Sequence, residues 1–207
     1  MTKVKICGIT NLEDARHAVE CGADMLGFNF YRGSKRYLEP AIAAEIVRGL
    51  GEARVEMVGV FVNAEVAEIA EVAEQVGLDG IQLHGDEDAE SVSAVKESLP
   101  GFVVVKALRV GGGFALKAAA AYTVDHVLLD GDAGTVFGGA GRAFDWELAR
   151  GVEGLILAGG LTPHNVAEAI RTLRPHAVDV ASGVESSPGK KDPAKVAAFI
   201  KAAKEAI

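Results

Sequence analysis

Short apolar runs alternate with stretches whose apolar residues recur every three or four positions, from one end of the chain to the other. The runs VKIC (4–7), DMLGFNF (24–30), VEMVGVFV (55–62), DGIQLH (79–84), FVVVKA (102–107), DHVLLD (125–130), GLILAG (154–159) and AVDVAS (177–182) predict strands. Helical patterns fill the gaps at 11–21, 40–50, 64–76, 88–98, 114–121, 145–150, 163–173 and 193–206. Within 11–21, Leu12, Ala15, Ala18 and Val19 form one stripe; within 64–76, Val66, Ile69, Ala70, Val72 and Ala73 do the same. Start signals agree. Thr10-Asn-Leu-Glu13 and Ser182-Gly-Val-Glu185 fit a capping box. Thr162-Pro163 and Asp192-Pro193 place a cap residue before a proline at the first helical position.

Strand and helix repeated eight times predict a single-domain (β/α)8 barrel over residues 1–207. The chain is short for that fold, whose usual length is ~250 residues. A doubly wound open sheet needs fewer units and a nucleotide fingerprint. No G-x-G-x-x-G opens the first helix, and no G-x-x-x-x-G-K-[ST] occurs. No linker or low-complexity segment divides the chain.

Alternation assigns faces to the strands. In the first strand Val4 and Ile6 face the helices, which leaves Lys5 and Cys7 inside. Gln82 and His84 fall inside in the fourth strand, Lys106 in the fifth, with Val103 and Val105 outside. Leu128 and Asp130 fall inside in the sixth, and Asp179 in the eighth. Barrel interiors are normally filled by branched apolar side chains, and active sites sit at the C-terminal strand ends. Cys7, His84, Lys106, Asp130 and Asp179 therefore form a candidate site. A buried structural network of paired charges is the alternative reading.

The last two units suggest an anion site. LAGGLTPHN (157–165) passes through Gly159 and Gly160 into a helix start. VASGVES (180–186) passes through Ser182 and Gly183 into a second, predicted as a short extra helix over 183–187. Loops after the seventh and eighth strands with such a helix often bind phosphate, through backbone N–H groups and the helix dipole. YRGSKRY (31–37) brings a basic cluster to the same end. Its Arg36 can hold a carboxylate in bidentate fashion. The glycine-rich segment 131–143 reads as a lid.

Composition narrows the class. Hydrophobic residues make up 49% of the chain, which marks a globular protein. A formal charge of −8 disfavours nucleic acid and anionic membrane as partners. No apolar run reaches the ~18 residues of a membrane span. No secretory signal is apparent at the start, and the two cysteines, Cys7 and Cys21, are too few for a disulfide framework or a zinc site. A cytoplasmic protein with free thiols is expected.

Together KVKICGITNLEDA, LGFNFYRGSKRYLEP, VGVFVN, IQLHGDE, VLLDGD, GGAGRAFDW, LAGGLTPHNV and VDVASGVESSPGKKD resemble phosphoribosylanthranilate isomerase, over residues 3 to about 192. The resemblance implies an Amadori rearrangement of N-phosphoribosyl anthranilate to the aminoketose, without metal or organic cofactor. It implies Cys7 as general base and Asp130 as general acid. Arg36 would hold the anthranilate carboxylate, and Asp179 would contact the substrate, beside His84. Gly159, Gly160, Ser182 and Gly183 would hold the phosphate. A monomer or homodimer is expected. A free thiol, with pKa ~8.5, is mostly protonated near neutrality, so a base there needs help. An aspartate acid needs burial or a neighbouring carboxylate to keep its proton. Asn29 and Ala140 depart from the family pattern. The alternatives are another phosphosugar barrel isomerase, or a non-catalytic barrel that binds a phosphate ester. An aminoaldose isomerase of histidine synthesis would carry an aspartate where Cys7 stands.

Overall fold

The computed structural model describes residues 1–110, 119–131 and 145–206. Eight parallel strands close into a barrel in chain order: β1 (Lys3–Cys7), β2 (Met25–Asn29), β3 (Glu56–Phe61), β4 (Gly80–Leu83), β5 (Val103–Val110), β6 (His126–Gly131), β7 (Leu155–Leu157) and β8 (Ala177–Val180). Helices α1 (Leu12–Glu20), α2 (Pro40–Leu50), α3 (Val66–Val76), α4 (Ala89–Ser98), α5 (Val166–Leu173) and α6 (Pro193–Lys204) lie outside. Single 3₁₀ turns cover Trp146–Ala149 and Ser182–Val184. The predicted lid and the predicted helix over 114–121 lie mostly outside the described residues, as does Ala140.

Two apolar layers follow from strand alternation. Met25, Val58, Val105, Ala107, Leu128, Ile156, Ala158 and Ala177 fill the barrel interior. Val4, Ile6, Leu26, Phe28, Ile81, Leu83, Val104 and Val178 point outward and meet the helices. Phe28 and Phe199 are fully buried in that outer layer, and each such side chain stabilises the fold by about 1.5–3 kcal/mol.

One assigned face is reversed. Val105, not Lys106, points into the barrel. Lys106 pairs across the ladder with Leu83 and Val127, both outward-facing, and its ammonium meets Glu87 at 2.5 Å and the Gly85 carbonyl at 2.9 Å. Three consecutive valines, 103–105, hide the phase of this strand. The buried Lys106–Glu87 pair therefore ties down the turn after β4 and takes no part in the interior.

At the N-terminal end of the barrel a device recurs. Asp24 donates its N–H to the Val4 carbonyl and accepts the Val4 N–H on its carboxylate, at 2.9 and 2.7 Å. Asp79 does the same with Met57, and Asp125 with Val104. Each aspartate immediately precedes an even-numbered strand and clamps the start of the odd-numbered strand before it. His176 holds the corresponding place before β8.

Helix starts depart from prediction at three of four places. Asp192 caps α6 as expected, accepting from the amides of Ala194 and Lys195. Asn11, rather than Thr10, caps α1. Residues 162–165 form a turn in which the Asn165 carboxamide accepts the Thr162 amide and donates to the Gly160 carbonyl, so α5 starts only at Val166. The extra helix over 183–187 is replaced by one 3₁₀ turn and a small hairpin, β9 (Glu185–Ser187) with β10 (Lys190–Lys191).

Candidate active site

The C-terminal strand ends surround a cleft of about 710 Å³, counted out into its open mouth. Cys7 reaches it from the end of β1, Asn29 from β2, Gln82 and His84 from β4 and the residue beyond, Asp130 from β6, and Asp179 from β8. Gly159, Gly160 and Ser182 line the wall formed by the turns after β7 and β8. Arg36 lines it from the loop after β2. Of the residues singled out in the sequence, all but Lys106 and Gly183 thus meet in one place. Gly183 stands behind the wall rather than on it.

Two glycines hold that wall together by close approach. A side chain at Gly159, whose φ is +82°, would lie 2.2 Å from the Gly131 amide nitrogen and 2.9 Å from Asp130 Oδ1. A side chain at Gly183 would lie 1.9 Å from the Leu161 carbonyl oxygen. The first contact seats the turn after β7 against the end of β6. The second seats the turn after β8 against the turn after β7. Only a residue without Cβ permits either approach.

A polar chain crosses the interior beneath the cleft. The Lys5 ammonium, 1% exposed, donates to Asp179 Oδ1 at 3.2 Å and to Gln82 Oε1 at 2.8 Å. Gln82 Nε2 lies 2.8 Å from His84 Nδ1. His84 Nε2 points toward Asp130 Oδ2 at 3.5 Å, beyond good hydrogen-bond geometry, and has no other hydrogen-bond partner among the described residues. The polar interior is thus both site and network: the paired charges recognised as the alternative reading support the residues that face the cleft.

Cys7 sits where this chain can act on it. Gly27 is its neighbour across the ladder, and a Cβ there would stand 2.7 Å from Cys7 Sγ. Burial pushes the Cys7 thiol above its ordinary pKa; Lys5 and Lys191 oppose that rise, while Asp179 adds to it. Burial on its own lowers a lysine, yet Lys5 is held above its usual range because Asp179 and Cys7 outweigh desolvation. The buried ammonium is therefore a fixed positive charge beside the thiol.

A second charged cluster lies below the rim. Arg36 donates from Nε and Nη2 to the two carboxylate oxygens of Glu185, both at 2.7 Å. Lys191 donates to the same carboxylate at 3.1 Å and to the Cys7 carbonyl at 2.5 Å. The bidentate partner foreseen for Arg36 was a ligand, but in the structure it is Glu185. Sequence reasoning missed Glu185 because its spacing from Ser182 mimics a capping box. Among the described residues, no group of three or more His, Cys, Asp or Glu side chains is placed to hold a metal ion.

Comparison with known proteins points to one family throughout. Residues 4–202 match the family model described as N-(5′-phosphoribosyl)anthranilate (PRA) isomerase. The chain is 50% identical over 208 residues to the N-(5′-phosphoribosyl)anthranilate isomerase of Citrifermentans bemidjiense, covering 99% of this chain and 98% of that protein. It is 47% identical to the Trichlorobacter lovleyi protein of the same name, with both chains covered completely. Among solved structures, phosphoribosyl anthranilate isomerase from Thermotoga maritima superposes with a TM-score of 0.87 at 44% identity and 99% coverage of both chains. A complex of such an isomerase with reduced 1-(o-carboxyphenylamino)-1-deoxyribulose 5-phosphate superposes with a TM-score of 0.83 at 43% identity, again over 99% of each chain.

Proposed function

This chain belongs to the phosphoribosylanthranilate isomerase family, and from that premise we propose how its cleft performs the reaction. The enzyme converts N-(5′-phosphoribosyl)anthranilate, an aminoaldose, into carboxyphenylamino-deoxyribulose phosphate, an aminoketose, in tryptophan biosynthesis. Asp130 gives a proton to the furanose ring oxygen, and the ring opens to a Schiff base. Cys7, as thiolate, takes the proton from C2 of the sugar. The enolamine then tautomerises to the ketose. The single observation that carries these roles is that Cys7 on β1 and Asp130 on β6 face one cleft whose wall is the paired turns after β7 and β8.

The phosphate lies against Gly160 and Ser182, with Gly159 and Gly183 fixing the two turns from behind. Asp179 and His84 face the sugar and ring portions from the floor. Arg36 meets the anthranilate carboxylate with the edge of its guanidinium that Glu185 does not take. Thiolate formation at Cys7 is supported by the Lys5 ammonium below it, and by the positive charge that a protonated Schiff base brings above it. The protein works in the cytoplasm as a monomer or homodimer on this small anionic substrate, without nucleic acid or membrane. The net charge of −8 disfavours nucleic acid and anionic membrane as partners, and among the described residues no helix is long and apolar enough to cross a membrane.

The roles are tested by generating the unstable substrate in situ from anthranilate and phosphoribosyl pyrophosphate and following the loss of its fluorescence. Cys7→Ser and Asp130→Asn should each lower kcat by at least ~100-fold, the lower range for acid–base groups. Full activity in either variant removes that residue from its role.

A further inference from the structure

The hydrogen-bond chain beneath the cleft fixes more than position. Lysine can only donate, so the Gln82 atom that faces Lys5 at 2.8 Å is the carbonyl oxygen. Gln82 must then turn its NH₂ group toward His84. An amide NH₂ also only donates, so His84 Nδ1, 2.8 Å away, is an acceptor and carries no proton. The imidazole proton sits on Nε2, the nitrogen that points at Asp130. A protonated imidazole would set an N–H against the Gln82 NH₂, so the same contact opposes imidazolium. The charged groups around this unit are Lys5 and Asp179 beyond Gln82, and Asp130 beyond Nε2.

We propose that Lys5 and Gln82 are positioning residues that lock His84 as a neutral imidazole whose Nε2–H donates toward Asp130. His84 then neither supplies nor receives a proton during turnover. Its Nε2–H closes on Asp130 as that carboxyl gives its proton to the ring oxygen and becomes a carboxylate. The 3.5 Å separation in the free enzyme leaves this bond unmade until the charge develops, so the interaction favours the later state over the resting one. The kinetic part of this inference rests on Asp130 being the acid; the tautomer does not.

Two measurements test it. In protein labelled with ¹⁵N-histidine, the His84 signals are identified by their loss in His84→Asn. Wild type should show bare Nδ1 and protonated Nε2 at pH 7; a protonated Nδ1 there overturns the lock. Gln82→Glu presents a carboxylate that accepts from both Lys5 and His84, and should move the proton onto Nδ1. Its kcat should fall ~100-fold, the loss typical of removing one charge-stabilising donor, with KM within about threefold. A Gln82→Glu enzyme whose tautomer does not change, or whose tautomer flips while kcat stays at the wild-type level, also overturns the proposal. If the Gln82→Glu protein fails to fold, the wild-type spectrum decides the tautomer, and His84→Ala, which removes the Nε2–H, decides the kinetic part: its kcat should fall ~100-fold, and wild-type kcat overturns it. Retained activity in Asp130→Asn would instead remove the acid assignment and leave the measured tautomer standing.

Discussion

Arg36 and Glu185 meet fork to fork, with two N–H···O contacts of 2.7 Å between the loop after β2 and the turn after β8. The Arg36 side chain also lies over Gly8, where a Cβ would stand 2.5 Å from its Cδ. The pair therefore stacks three segments of the mouth on one another: the loop after β2, the end of β1 and the hairpin β9–β10. Lys191 completes it from beneath.

Breaking this cluster should cost stability. Burial would raise the Glu185 carboxyl, but the Arg36 hydrogen bonds and the Lys191 and Arg36 charges outweigh it and hold its pKa below the usual value. Its stabilisation is then complete above the unfolded-state pKa of ~4.3 and is lost as pH falls through the lower folded value. Glu185→Ala strands two buried cations. It should lower the unfolding free energy by about 3–5 kcal/mol at pH 7 in urea titrations, and by less at pH 3. An equal loss at both pH values would contradict the charge-pair account.

Cys7 should behave as a reluctant thiolate in the free enzyme. Because burial raises its pKa, alkylation by iodoacetamide in a Cys21→Ser background should accelerate about tenfold per pH unit through neutrality, tracking the thiolate fraction. Lys5→Met removes the strongest opposing charge and should displace that profile to higher pH. A profile that is flat between pH 6 and 8 would show that the thiol is already ionised.

Gly27 should matter through space alone. Its backbone is not in the left-handed region, yet an added methyl would meet Cys7 Sγ at 2.7 Å. Gly27→Ala should leave the circular dichroism spectrum unchanged while lowering kcat ~100-fold, the penalty of displacing a reacting group by about 1 Å. Wild-type turnover in that variant would mean that the thiol has room to move aside.

The phosphate wall can be probed without the full substrate. Gly183→Ala forces the turn after β8 away from the Leu161 carbonyl, a backbone atom that cannot rotate aside. Competitive inhibition by inorganic phosphate should weaken about tenfold or more, as expected when the backbone donors of such an anion site move out of register. Unchanged inhibition would place the phosphate elsewhere in the cleft.

The barrel was legible from eight apolar runs separated by helical patterns, and in β1, β4, β6 and β8 alternation carries inward the polar residues that an interior would otherwise exclude. The remaining assignment, β5, failed for a physical reason: Val103, Val104 and Val105 are interchangeable to any hydrophobic pattern, and the partner that draws Lys106 outward, Glu87, belongs to another segment. Cys7, His84, Asp130, Asp179, Gly160 and Ser182 could be placed at one mouth from strand ends alone. Glu185 could not, because its spacing from Ser182 satisfies a local rule while its carboxylate answers Arg36, 149 positions away. Local spacing likewise could not show that Asn165 ties itself back to Gly160 and delays the start of α5.

The aspartate clamps at the other end of the barrel divide the chain in a way the closed sheet conceals. Each carboxylate takes the amide of one residue at the start of the preceding strand: Asp24 that of Val4, Asp79 that of Met57, Asp125 that of Val104, while Asp24 also accepts from Lys204 on α6. New chain termini opened at 51–54, between α2 and β3, would leave all three intact, whereas termini at 21–23 would part Val4 from the covalent tether that delivers its carboxylate. Circular permutants of this protein should therefore tolerate cuts by parity, surviving between quarters of the barrel more readily than within them.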